Sequence, residues 1–246
     1  MRLTDHLSQS GTALFRWRSY LLFAFIPLMI WAMLAGKRIE AAWGWQASVA
    51  YDALCILMIA AGEVIRCLTV GFVPDGTSGR NVQGQLATRL NTSGAYSMLR
   101  NPLYLGNSLM YVGIVLLTQS PGLGLVMALV LLPYYERIIA TEESFLTEKF
   151  GADYVAFTQR SPAFIPNFRG WQSPDLAFSW RMVIRREMTS IYGAVLAVYL
   201  VESGLRYFAG QPIAPIWHWI AGVATVLVLI AIYLKRRTSL LNAPER

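Results

Sequence analysis

Six long apolar runs, joined by turns that are either very short or strongly charged, restrict this chain to a bundle of membrane-crossing helices. The runs cover about Ser19–Gly36 (with Pro27 inside), Ala47–Phe72, Pro102–Thr118, Leu123–Tyr135, Ser190–Phe208 and Ile213–Leu234. Spans of about 20 residues each would use roughly half the chain. Composition agrees: 55% of the 246 residues are apolar and 14% charged, where a soluble domain carries roughly a quarter charged. The expected fold is an all-α polytopic transmembrane bundle of about six spans, with a charged helical segment between spans four and five. Its parts are a two-helix unit over residues 1–72, a core over 73–187, and a C-terminal hairpin with a basic tail over 188–246.

The net charge of +7 lies in clusters beside the apolar runs and forms no stripe with interleaved aromatics, which argues against a nucleic-acid partner. Seventeen of the 21 Lys and Arg fall in the N-terminal segment, the 74–101 loop, the 136–187 stretch and the tail, all on one face of a six-span arrangement. The positive-inside rule places that face and both termini in the cytosol, and the short loops favour a bacterial inner membrane. The 18 residues before the first run, with Arg2, Arg16 and Arg18, read as the lead-in to a retained helix. Cys55 and Cys67 share one apolar run and His6 and His218 are far apart, so no metal site is expected.

Glu63 and Arg66, three residues apart, and Glu202 and Arg206, four apart, can each pair on one helix face at membrane depth. For Glu63 and Arg66 the alternative is a polar site reached from the charged face.

The densest chemistry is Gly94-Ala-Tyr96-Ser-Met-Leu-Arg100-Asn101-Pro102-Leu-Tyr104-Leu-Gly106-Asn107, where the 74–101 loop enters the third run. Asn101 reads as an N-cap and Pro102 as the first helical residue, and Gly106 permits close approach of a helix or a ligand. The tight turn at 119–122 returns the chain to the same face at Glu136, so Arg100, Asn101, Tyr104, Arg137, Glu142 and Glu143 can converge there. Adjacent glutamates point about 100° apart on a helix, so at most one of the two is expected to face inward. Phe150-Gly151-Ala-Asp-Tyr154 and Arg160-Ser-Pro162 to Pro166 complete the set.

In order and spacing these elements resemble the isoprenylcysteine carboxyl methyltransferase family and its bacterial relatives, which are similar in turn to the phospholipid N-methyltransferases. That family shows Arg-His-Pro-x-Tyr at a helix entrance, a downstream Glu-Glu, then Phe-Gly-x-x-Tyr and a proline-containing segment. The match covers roughly residues 73–166 and departs at Asn101, where the family has histidine. A titratable imidazole role is therefore absent at that position, while a hydrogen-bonding role remains open. The resemblance implies S-adenosyl-L-methionine at the cytosolic membrane face and a lipid or lipidated acceptor entering from the bilayer.

Methyl transfer is an in-line displacement at carbon in which alignment and exclusion of water matter most. A carboxylate or phosphate acceptor needs no general base; Arg100 or Arg137 is the expected holder of such an anion. Glu142 or Glu143 would bind the cofactor, with Asn101, Pro102, Tyr104, Gly106 and Asn107 around it; for an amine acceptor Glu142 could take the proton. Two other readings are an NADPH-dependent membrane reductase of the sterol reductase type and a non-enzymatic scaffold or transporter. A transporter is disfavoured because no inverted repeat is visible.

Overall fold

The computed structural model describes residue 14 and residues 20–75 and 88–243. Arg2, His6, Arg16, Arg18 and Arg246, with residues 76–87 of the polar loop, lie outside the described residues. The chain begins with α1 (Leu21–Ala24) and α2 (Ile26–Leu34), Pro27 falling at the start of α2. Next is α3 (Arg38–Gly71), bent at Gly44, whose φ of 83° is open to glycine at little cost. Past the loop stand α4 (Ala95–Met98), α5 (Pro102–Leu116), α6 (Pro121–Phe150) and α7 (Ala152–Arg160). A 3-10 turn at Phe168–Gly170 leads to α8 (Trp180–Phe208) and α9 (Pro215–Arg237). Among the described residues there is no strand.

The helices α3, α6, α8 and α9 are long and apolar enough to cross a membrane, and α5 is a shorter apolar helix of 15 residues. At about 1.5 Å per residue, α5 spans less than the roughly 30 Å of a hydrocarbon core. It is instead the inner helix, with α3 and α6 packed on it. The fourth apolar run and the polar helix after it form one continuous element, α6. The helix at the fifth run begins at Trp180, not at Ser190, because the Ser179 side chain accepts from the Met182 amide and caps it.

Small residues let α3 and α5 touch. A Cβ on Gly62 would stand 2.5 Å from the Gly106 carbonyl oxygen, and one on Gly106 would stand 2.7 Å from Arg66 Cγ. Between membrane helices, where the apolar driving force is weak, such contact supplies packing energy. Gly62→Val is therefore expected to destabilise the protein by about 1–3 kcal/mol, read by unfolding in detergent. Gly122→Ala, with nothing within 4 Å, leaves the midpoint unchanged.

Gln119, fully buried with a φ of 61°, forms the α5–α6 turn. Its amide donates to Asp52 at 2.6 Å and its oxygen accepts from the Ile39 amide at 3.3 Å, tying the turn to α3. Near that end, Arg206 pairs with Glu202 at 2.6 Å as their spacing suggested. Glu63 and Arg66 do not pair with each other as their primary contacts: Arg66 reaches Glu187 on α8, and Glu63 accepts from Ser190 on the same helix. The helix α8 faces α3 there, so Arg66 and Glu63 each find a partner across the interface.

Candidate functional site

The helix ends at the charged end of the bundle assemble the site. The hairpin of α5 and α6 puts the start of α5 beside the last three turns of α6, as the tight turn required. Arg100 donates from Nε to Glu143 at 2.8 Å, and its Nη1 donates to the Thr158 and Ser161 carbonyls at 3.0 and 2.9 Å. Tyr104 donates to Glu142 at 2.8 Å. Both glutamates are thus used, which corrects the expectation that at most one faces inward. Their partners, Arg100 in the segment just before α5 and Tyr104 in its first turn, stand four residues apart, so side chains leaving α6 in different directions each find one.

Asn101 stands at the N-cap position, yet its side chain makes no capping bond. It donates instead to the Ala163 carbonyl at 2.9 Å. That bond belongs to a seam between segment 94–101 and the strap 161–174. Arg100 N donates to the Pro162 carbonyl, Asn167 N to that of Met98, and Gly94 N to that of Gln172. Ser161 Oγ donates to the Ser97 carbonyl and Ser97 Oγ accepts from Gln172 N. Asn101→Ala should remove one bond, about 1 kcal/mol, and make the strap more easily cleaved by protease, with little change in the global unfolding midpoint.

Pro102 is fully buried at the first turn of α5. Gly106 faces Gly62 and Arg66, so the close approach it permits is that of a helix. Asn107 accepts from Arg66 at 2.5 Å, while Arg66 also donates to Glu187 through Nε at 2.9 Å and Nη2 at 2.5 Å. The side chains of Arg66 and Glu187 are only 8% and 4% exposed. Arg137 donates to the Pro133 carbonyl of its own helix and is not drawn into the Arg100–Glu143 group.

Two residues missing from the expected site belong to it. Tyr135 packs against Tyr104 with ring centroids 4.8 Å apart, and its buried hydroxyl has no hydrogen-bond partner among the described residues, Asn107 being a polar neighbour. Tyr154, of the Phe-Gly-x-x-Tyr element, is buried beside Glu143; burial first, and that negative charge second, push its phenol above the usual range and keep it neutral. The sequence signals were the aromatic at the end of the fourth run and the motif itself.

Carboxylates that accept from hydroxyls and cations, two rings packed at a tilt of 39° and a buried hydroxyl give one wall able to hold a polar ligand with a flat ring and a positive centre. Among the described residues no group of three or more His, Cys, Asp or Glu could hold a metal ion.

The chain is similar to several known proteins. Residues 52–153 match the family model "Phospholipid methyltransferase". The chain is 34% identical over 113 residues to a nickel-cobalt-cadmium resistance protein of Alcaligenes xylosoxydans xylosoxydans, covering 43% of this chain and 53% of the relative. It is 36% identical over 85 residues to a cobalt-zinc-cadmium resistance protein of Cupriavidus metallidurans, covering 35% and 39%. It is 29% identical over 117 residues to protein-S-isoprenylcysteine O-methyltransferase B of Arabidopsis thaliana, covering 45% and 57%. The chain spans about half the length of the curated relatives it matches. No solved structure matches. These findings support the resemblance to the isoprenylcysteine carboxyl methyltransferases that the motifs carried.

Proposed function

We propose, taking as premise that residues 52–153 are a phospholipid methyltransferase segment, that the chain is an integral membrane methyltransferase that uses S-adenosyl-L-methionine. Its acceptor is a lipid or a lipidated molecule, and its site opens at the cytosolic face of a bacterial inner membrane. The observation that carries this reading is the convergence of Tyr104 on Glu142 and Arg100 on Glu143 beside the Tyr104–Tyr135 ring pair. The relatives named as protein-S-isoprenylcysteine O-methyltransferases support the methyl-transfer class and a lipidated acceptor.

The residues suit the donor. Glu142 and Glu143 offer acceptors to ribose hydroxyls and to an ammonium, the tyrosine rings offer faces to a flat base or a sulfonium, and the buried Tyr135 hydroxyl can bond a ligand. When bound, the donor supplies an electrophilic methyl group on a positively charged sulfur. Arg100 holds Glu143 in place and, through the Thr158 and Ser161 carbonyls, fixes α7 and the strap over the site. Asn101 latches the strap, which excludes water from the reacting atoms. Arg66 and Glu187 fix Asn107 from behind.

The test is lipid mass spectrometry on cells with and without the protein. The expected result is a lipid species heavier by one CH2 unit in the presence of the wild type and missing with Glu142→Gln/Glu143→Gln. Identical lipid and lipidated-protein profiles in all three strains would sink the reading.

A further inference from the structure

We infer that Arg186, near the start of α8, holds the anionic oxygen of the methyl acceptor, a phosphate or carboxylate carried on a lipid-soluble chain. This rests on the methyltransferase reading above and narrows it to an anionic acceptor. Arg186 lies outside residues 52–153.

Five other guanidiniums at this end are already engaged. Arg66 is consumed by Glu187 and Asn107, and Arg100 by Glu143 and two carbonyls. Arg137 turns to Pro133, Arg185 pairs with Asp75 at 3.3 Å, and Arg89 with Asp175 at 2.9 Å. Arg186 differs: its Nη1 is buried and has no hydrogen-bond partner among the described residues. Arg186 as a whole is half-buried, and a guanidinium N–H withdrawn from water with no acceptor is unfavourable, so the position suits a ligand that brings an anionic oxygen to it.

Its surroundings fit that role. The charged and polar groups that act on it are Tyr96 of the entrance segment, Asp75 at the end of α3, and Glu187 and Arg185 on its own helix. Of the acidic groups, Asp75 is bonded to Arg185 and Glu187 to Arg66. Tyr96 stands four residues before Arg100, and Glu187, next to Arg186 in the chain, bonds Arg66, which donates to Asn107 on α5, so Arg186 sits at the same end of the bundle as the wall. The Lys235 ammonium donates to the Arg185 carbonyl, bringing the basic end of α9 (Lys235, Arg236, Arg237) to the same place. The field at this end therefore attracts anions. An acceptor oxygen held by Arg186 attacks the donor methyl: the O–C bond forms, the C–S bond breaks, and sulfur keeps the electron pair and leaves as a neutral thioether. The acceptor loses one negative charge and no proton moves.

The experiment uses the full chain in neutral detergent, as wild type, Arg186→Gln and Arg186→Lys. Native mass spectrometry reads binding of three probes: a short-chain phosphatidic acid, a farnesylated thioether carboxylate and a short-chain phosphatidylethanolamine. Dissociation constants for S-adenosylmethionine are measured separately. The expected result is that at least one anionic probe binds the wild type and binds Arg186→Gln roughly tenfold to a hundredfold more weakly, with Arg186→Lys between the two. Which anionic probe binds distinguishes a phosphate from a carboxylate acceptor. S-adenosylmethionine affinity should be the same in all three proteins. Equal binding of the anionic probes by wild type and Arg186→Gln, or preference for the amine lipid, overturns the inference. Absence of S-adenosylmethionine binding to the wild type instead overturns the methyltransferase reading, whatever Arg186 does. Should Arg186→Gln fail to fold, a phosphatidic acid or carboxylate affinity in Arg186→Lys equal to wild type, or none in the wild type, still overturns it.

Discussion

Replacing Glu142 and Glu143 together with glutamine is expected to weaken S-adenosylmethionine binding by at least about 100-fold, from the loss of two charge-assisted bonds of about 1.5–3 kcal/mol each. The two single variants should differ. Glu142 is bonded by the Tyr104 hydroxyl, a neutral donor that glutamine can still satisfy. Glu142→Gln therefore costs affinity and leaves the unfolding midpoint nearly unchanged. Glu143 also neutralises Arg100, whose side chain is 14% exposed. Glu143→Gln should weaken both binding and the hold of the Arg100 segment on α7 and the strap, read as a lower midpoint and faster protease cleavage near Thr158–Ala163. Equilibrium dialysis with labelled S-adenosylmethionine, beside thermal unfolding in the same detergent, separates the two effects. Full affinity in the double variant would remove the glutamates from the cofactor site.

The largest stability effect is expected at Arg66 and Glu187. Either Arg66→Ala or Glu187→Ala leaves the other ion buried, which costs about 3–5 kcal/mol. Arg206→Ala, removing the more exposed Glu202 pair, should cost about 0–1 kcal/mol. Denaturant titration in mixed micelles checks the contrast. A double variant, Arg66→Met/Glu187→Leu, should recover much of the stability because no charge is left behind. It should not recover methyl transfer, because Asn107 then loses the donor that fixes it.

Much of the site was legible because chain connectivity forces it. A turn as short as the one ending at Ser120 must return α6 to the end where α5 began, so Arg100, Tyr104, Glu142 and Glu143 had to meet. The spacing of Glu142 and Glu143 on their own helix lets at most one face inward. Arg100, just before α5, and Tyr104, in its first turn, reach both. Asn101 shows another limit. Its type and position signal a cap, but the nearby Ala163 carbonyl outcompetes the helix amides for a side chain that can donate as well as accept. The pairing of Arg66 with Glu187 was hidden because it joins residues 121 apart in sequence. A local partner, Glu63, was available at helical spacing. Ser179 ahead of Trp180 was the one clue that α8 begins early enough to carry Arg186 and Glu187 to the site.

The most direct measurement is photocrosslinking of labelled S-adenosylmethionine to the wild-type protein in lipid nanodiscs, with peptide mapping of the label. Saturable labelling, competed by S-adenosylhomocysteine and confined to peptides containing Tyr96–Asn107 and Leu131–Tyr154, is the expected result. No saturable labelling, labelling elsewhere, or competition by NADPH alone would contradict a methyl-donor site at Tyr104, Tyr135, Glu142 and Glu143.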